Sequence, residues 1–144
     1  MQRLTLPFAL ALALMLLALP VHPARADDSL YRAWGGKAGI RAVMDDFVAR
    51  LPAHPRIGRR FQGVDAQHLS SQLTDQLCEL AGGPCQYNGP DMAAAHEGMG
   101  LKKPEFTALV EVLQEAMAAR GIAFSDQNRM LARLAPMHRD LLEK

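Results

Sequence analysis

The sequence predicts an all-α fold. Three observations carry this. Aliphatic residues, alanine and methionine dominate while aromatics make up only 6% of the chain, a composition that suits helices better than strands. Apolar residues recur at spacings of three and four, which is one face of a helix. Glycine and proline clusters cut these runs into separate segments. The length of 144 residues fits one domain, with no internal repeat or low-complexity tract.

The first segment reads as an export signal rather than as part of the fold. Arg3 supplies a positive start, Leu6 to Leu19 is an apolar run short for a bilayer, and Pro20 and Pro23 break it. Ala24-Arg25-Ala26 then offers small residues at the two positions a signal peptidase reads. The competing reading is an uncleaved membrane anchor. Cleavage after Ala26 leaves residues 27–144 as the domain, in the periplasm or secreted, with no membrane contact after processing. Removing Arg3 and Arg25 leaves 14 basic against 15 acidic residues, a net charge of −1. No Lys/Arg cluster with interleaved aromatics is present, which argues against nucleic acid as a partner.

Ser29 is placed to cap a short helix through Leu30, Tyr31 and Trp34, ended by Gly35-Gly36. A second helix spans about Lys37 to Leu51, with Ile40, Val43, Met44, Phe47 and Leu51 on one face; Pro52 and Pro55 stop it. An irregular stretch carries Ile57 and Phe61. The third helix runs from about Ala66 to Ala81 on a stripe of Leu69, Leu73, Leu77 and Leu80, and Gly82-Gly83-Pro84 ends it. After a loop through Tyr87, Asn88, Gly89 and Pro90 comes a short helix from Met92 to Glu97, broken by Gly98 and Gly100. Pro104 suits the first position of the next helix, where Phe106, Leu109, Val110, Leu113 and Met117 repeat; Gly121 closes it. Ser125 is placed to cap the last helix, whose stripe is Leu131, Leu134, His138, Leu141 and Leu142, and Pro136 should bend it.

Plain bundles use helices of matched length. A five- or six-residue helix between glycine breaks instead presents something, and His96 is what it carries. Small alanines precede His96, so a bulky group can lie against that helix. Neutral imidazole is a good iron ligand and keeps its other nitrogen for a backbone carbonyl. His22 leaves with the signal, His54 sits between prolines, His68 lies away from the leucine stripe, and His138 reads as a core or boundary residue. Cys78 and Cys85 lie seven apart in a compartment that permits disulfides. They are either joined across a helix end or separate buried thiols. No further Cys or His stands at zinc-like spacing.

The motifs Tyr31-Arg32-Ala33-Trp34-Gly35-Gly36, Asp46-Phe47, Phe61, Gly82-Gly83-Pro84 with Tyr87, and His96-Glu97-Gly98-Met99-Gly100 occur in that order. This series resembles the group I truncated haemoglobins over essentially the whole chain from Leu30 to about Leu142. The resemblance implies a two-over-two helical sandwich around haem b, with His96 as the proximal iron ligand. By it, Phe61 matches the aromatic against the porphyrin face and Phe47 a core aromatic of the second helix. The cofactor-contacting set it implies is Phe47, Val48, Phe61, Leu69, Gln72, Leu73, Tyr87, Met92 and His96.

Two departures bear on function. The family usually has a tyrosine just after the second-helix aromatic, where its hydroxyl donates to bound oxygen; here that position is Val48. A glutamine often assists from the position that is Leu73 here. The expected distal wall is therefore Val48, Phe61, Leu69 and Leu73, with Gln72 and Gln76 the nearest amides, or else solvent-facing helix polarity. A charge-assisted donor is worth on the order of 1–3 kcal/mol. Its loss lowers oxygen affinity by roughly one to two orders of magnitude, and that of carbon monoxide or nitric oxide by less.

The function expected is reversible binding of a diatomic gas at a His-ligated haem, with a reductant of unnamed kind to restore ferrous iron. Alternatives are haem redox or electron transfer, with His68 or a methionine as sixth ligand, and low-level nitric-oxide or peroxide chemistry. Met44, Met92 and Met99 read as core filler in that respect. A secreted helical module without a cofactor is the remaining reading. The sequence points to no oligomeric state.

Overall fold

Helix α2 (Gly36–Arg50) buries Ile40, Val43, Met44, Phe47 and Val48 along one side, the stripe its threefold and fourfold spacing predicts. That stripe organises the molecule. In the computed structural model, which describes residues 27–142, α2 lies against α3 (Ala66–Leu80) and across α5 (Lys103–Ala119), while α6 (Phe124–Leu134) packs on both α3 and α5. The result is two helix pairs, α2 with α3 and α5 with α6, stacked on each other. The described residues contain helices and turns and no strand. Three short elements complete the set: α1 (Ser29–Ala33), α4 (Met92–His96) and α7 (His138–Leu141), with 3₁₀ turns at Leu51–Ala53, Gly58–Phe61 and Ala135–Met137. The proposed signal, 1–26, lies outside the described residues.

The core is continuous. Leu30, Trp34, Ile40, Val43, Leu51, Met117 and Met130 are essentially inaccessible. Each such aliphatic contributes about 1.5–3 kcal/mol relative to an exposed position. Among the described residues no helix is long and apolar enough to cross a membrane.

Helix ends follow the sequence where the signal is local. The turn after α3 is made by Gly82 at φ +83°, a left-handed conformation that glycine adopts without strain. The N–H groups of Gly82 and Gly83 donate back to the carbonyls of Glu79 and Cys78. Pro136 has no N–H to continue a helix, so α6 ends at Leu134 and a 3₁₀ turn leads into α7. Pro104 is the second residue of α5, not the first.

Two caps differ from expectation. Ser29 is inside α1, not before it, and its hydroxyl accepts instead from the Arg129 guanidinium at 2.6 Å. Ser125 likewise sits inside α6, which starts at Phe124 with Ala123 in the cap position. That start is held from the other side, by the Gln127 side-chain amide donating to the Ile122 carbonyl at 2.8 Å. Aspartates cap the two helices that matter most for the site. Asp65 accepts from the His68 N–H at 2.9 Å at the start of α3, and Asp91 accepts from the Ala94 N–H at 2.8 Å at the start of α4.

Cys78 and Cys85 are joined in a disulfide, with Cα atoms 5.7 Å apart. The bond ties the last turn of α3 to the loop that leads into α4.

Candidate functional site

Helix α4 is only five residues long, and its Met92 and His96 line a gap between the longer helices. The gap is a cavity of about 500 Å³ among α2, α3, α4, α5, α6 and α7, within the usual range for a ligand site. A second cavity of about 280 Å³ opens beside it. His96, Phe106, Leu109 and Leu141 line both, so His96 stands in a wall that the two spaces share.

His96 is the last residue of α4 and is half-buried. Its ring Nδ1 lies 2.8 Å from the Met92 carbonyl oxygen. A carbonyl can only accept, so Nδ1 carries the hydrogen and donates. In the neutral imidazole Nε2 is then the nitrogen with a free lone pair, oriented by a backbone contact as metal-ligating imidazoles commonly are. Among the described residues no three His, Cys, Asp or Glu side chains converge on one point. A single imidazole beside an apolar slot does not fit a small multidentate ion. It fits a large flat apolar group that brings its own metal and asks the protein for one axial nitrogen.

Of the nine residues the sequence singled out, Phe47, Leu73, Met92 and His96 line the larger cavity. Phe61 and Leu69 line the smaller one, with His96 again. Val48, Gln72 and Tyr87 are not among the residues lining either. Val48 is buried beside Phe47 in the core. Gln72 is half-buried on α3. Tyr87 works within its own loop: its hydroxyl donates to the Pro90 carbonyl at 2.9 Å, and its N–H donates to the Glu79 carboxylate at 3.1 Å. Burial, with the nearby Asp91 charge, holds the Tyr87 phenol above its ordinary pKa. His68 is exposed on α3.

Among the residues that line the larger cavity but were outside the predicted cofactor-contacting set are Gln76, Met137 and His138. His138 packs edge-on against Phe106, ring centroids 4.5 Å apart. Gln76 stands seven residues after Leu69 and three after Leu73, spacings that put it on the cavity face of α3. The sequence offered Gln76 and Gln72 together as the amides nearest the distal wall, or else as solvent-facing polarity, and of the two only Gln76 lines the larger cavity.

One ion pair shapes the rim. The Arg60 guanidinium makes two bonds to the Glu105 carboxylate, at 2.6 and 3.1 Å, and a third at 2.8 Å to the Met99 carbonyl. It joins the turn bearing Phe61 to the start of α5 and to the turn just after His96. The Arg60 hydrogen bond, helped by the Lys102 N–H, holds the Glu105 carboxyl below the usual carboxylate range.

Comparison with known proteins agrees with this architecture. Residues 29–143 match the family described as bacterial-like globin. A group 1 truncated hemoglobin from a Nostoc species is 33% identical over 117 residues, covering 81% of this chain and 99% of its own. The crystal structure of the Fe(III) form of truncated hemoglobin from Tetrahymena pyriformis superposes with a TM-score of 0.76 at 30% identity, over 80% of this chain and 98% of that one. The 2/2 hemoglobin of a Synechococcus species shares the fold, with a TM-score of 0.73 at 23% identity, over 80% of this chain and 98% of that one.

Proposed function

Since the chain belongs to the bacterial-like globins and is a haem-binding truncated haemoglobin of group 1, we propose that His96 Nε2 is its axial iron ligand and that it binds a diatomic gas reversibly in a largely apolar pocket. The observation that carries the ligand assignment is the Nδ1 contact of His96 to the Met92 carbonyl, which leaves Nε2 as the nitrogen available to a metal on a residue that lines both cavities. Haem supplies the iron to which the gas binds. The chain's own residues do the rest. Phe47 and Leu73 in the larger cavity, and Phe61 and Leu69 in the smaller, would offer apolar surface to the porphyrin.

The position of the family's second-helix tyrosine is Val48 here, buried beside Phe47 and lining neither cavity, so α2 offers the ligand no hydroxyl from that position. A valine there has no hydroxyl to donate, so oxygen is retained weakly while carbon monoxide and nitric oxide lose less. This favours sensing, transfer or handling of a gas over tight oxygen storage. Residues 1–26 carry an export signal by their pattern, and we place the activity in the periplasm or outside the cell.

The test is the visible spectrum of the purified chain with one equivalent of haem, ferric and ferrous, beside His96→Ala. A sharp Soret band is expected for the parent and a weak, broad one for the variant. A band indifferent to the substitution would discard His96 as the ligand.

A further inference from the structure

Five cations stand on two segments that the chain keeps well apart. Residues 54–64 carry Arg56, Arg59 and Arg60, and residues 98–104 carry Lys102 and Lys103, with no acidic residue in either stretch. Folding joins the two: Arg60 donates to the Met99 carbonyl at 2.8 Å, and Arg56 and Lys103 line one surface groove with Thr107 and Glu111. All five are exposed. Arg60 is paired with Glu105, but among the described residues Arg56, Arg59, Lys102 and Lys103 are in no salt bridge. Of the acids at the border, Glu105 is taken by Arg60, Asp65 caps α3, and Glu97 and Glu111 are exposed. Outside these two segments, residues 27–144 hold 9 basic against 15 acidic residues. Positive charge is thus gathered on one rim of an otherwise acidic domain. The rim borders apolar surface. Val64 and Met99, two of the three large apolar side chains exposed among the described residues, line the smaller cavity together with Arg60 and His96. An apolar centre within a polar border is the anatomy of a protein-docking surface.

We propose that this rim docks an acidic one-electron carrier protein, which is the reductant of the haem iron. The inference rests on the haem reading above and names the surface and the chemistry of the partner that reading requires. One electron leaves the reduced carrier, which is oxidised, and turns ferric iron ferrous; no covalent bond forms or breaks. The unpaired cations select an acidic partner, because complementary potentials steer encounter. The apolar centre selects an electron carrier, because it is itself wall of a cavity that His96 lines, so a partner seated there stands beside the cofactor site. Electron-transfer encounters use small, transient interfaces, which suits a patch of this extent.

The probe is flavodoxin, an acidic one-electron flavoprotein, mixed in its reduced form with the ferric haem-loaded chain in a stopped-flow spectrometer. The variant combines Arg56→Gln, Arg59→Gln and Lys103→Gln, leaving Arg60 to its bonds with Glu105 and Met99. A control of equal net charge combines Arg32→Gln, Lys37→Gln and Arg41→Gln on α1 and α2. Reduction of the parent should slow as salt is added. At low ionic strength the rim variant should be slower than the parent by about 3- to 30-fold, with the control close to the parent and reduction by a small uncharged hydroquinone equal in all three. Oxidised flavodoxin should shift parent amide resonances within 54–64 and 98–104. Equal rates for parent and rim variant, or an equal loss in the control, would overturn the proposal. Faster haem transfer from the rim variant to apomyoglobin would also overturn it, by assigning these cations to the cofactor's own carboxylates. Binding of the parent to phosphatidylglycerol vesicles, lost in the rim variant while reduction is unchanged, would assign the rim to a lipid surface instead. Failure of the haem reading itself shows separately, as a parent spectrum indifferent to His96→Ala.

Discussion

Trp34 and Gly39 meet where α1 hands over to α2. The Trp34 side chain is almost wholly buried, and its carbonyl lies so close over Gly39 that a Cβ there would strike it. The backbone of Gly39 is ordinarily helical, so the constraint is space and not dihedral freedom. A main-chain carbonyl cannot swing aside as a flexible side chain can. Gly39→Ala should therefore destabilise the protein by about 1–3 kcal/mol, the usual cost of overpacking, despite alanine's better helix propensity. Thermal melting of the haem-loaded chain decides it, and an unchanged or higher midpoint would mean the link relaxes freely. At this scale the sequence was an uneven guide. His96 stood out because glycines isolate its helix and alanines clear space beside it. Gln76 stood out only as one of two candidate amides, because an amide on an amphipathic helix reads equally as solvent-facing polarity until burial is known.

The disulfide acts at the scale of elements. Cys78 is fully buried near the end of α3, and Cys85 stands in the loop that delivers α4 and His96. The same segment is also held by the Tyr87 N–H donating to Glu79 and by the Tyr31 N–H donating to the Ala81 carbonyl at 3.1 Å. Closing so short a loop stabilises by roughly 2 kcal/mol through the unfolded chain. The paired substitution Cys78→Ala with Cys85→Ala should lower the melting point and speed haem transfer to an excess of apomyoglobin. Equal transfer rates would show that the two hydrogen bonds hold the loop unaided. Helices were legible where the determinants were local. The third helix was expected at 66–81 and is Ala66–Leu80, and the fourth was expected at 92–97 and is Met92–His96. The Ser29 cap failed because its hydroxyl is taken by Arg129, one hundred residues away, a partner that no local pattern encodes. The pairing of the cysteines was open for the same reason, since it depends on the path of the Gly82-Gly83 turn.

At the scale of the whole molecule, the helices surround a space instead of filling it. Two neighbouring cavities of about 500 and 280 Å³ stand where a plain bundle would place side chains. Interiors are otherwise close-packed, and walls facing an empty space forfeit their dispersion contacts. The stability missing from the protein part must come from the group that fills the gap. Haem binds the folded state and not the unfolded one in this picture, so it stabilises by mass action. At free haem a thousandfold above its dissociation constant the gain is about 4 kcal/mol, on the order of 15 °C for a domain of this size. Calorimetry of the haem-free and haem-loaded chains measures this directly. A large rise in melting point is expected on loading, and most of it should vanish in His96→Ala, where the axial bond is lost but the apolar walls remain. A rise that survives in full would assign the stabilisation to those walls. Equal melting points with and without haem would argue against a haem in the central cavity.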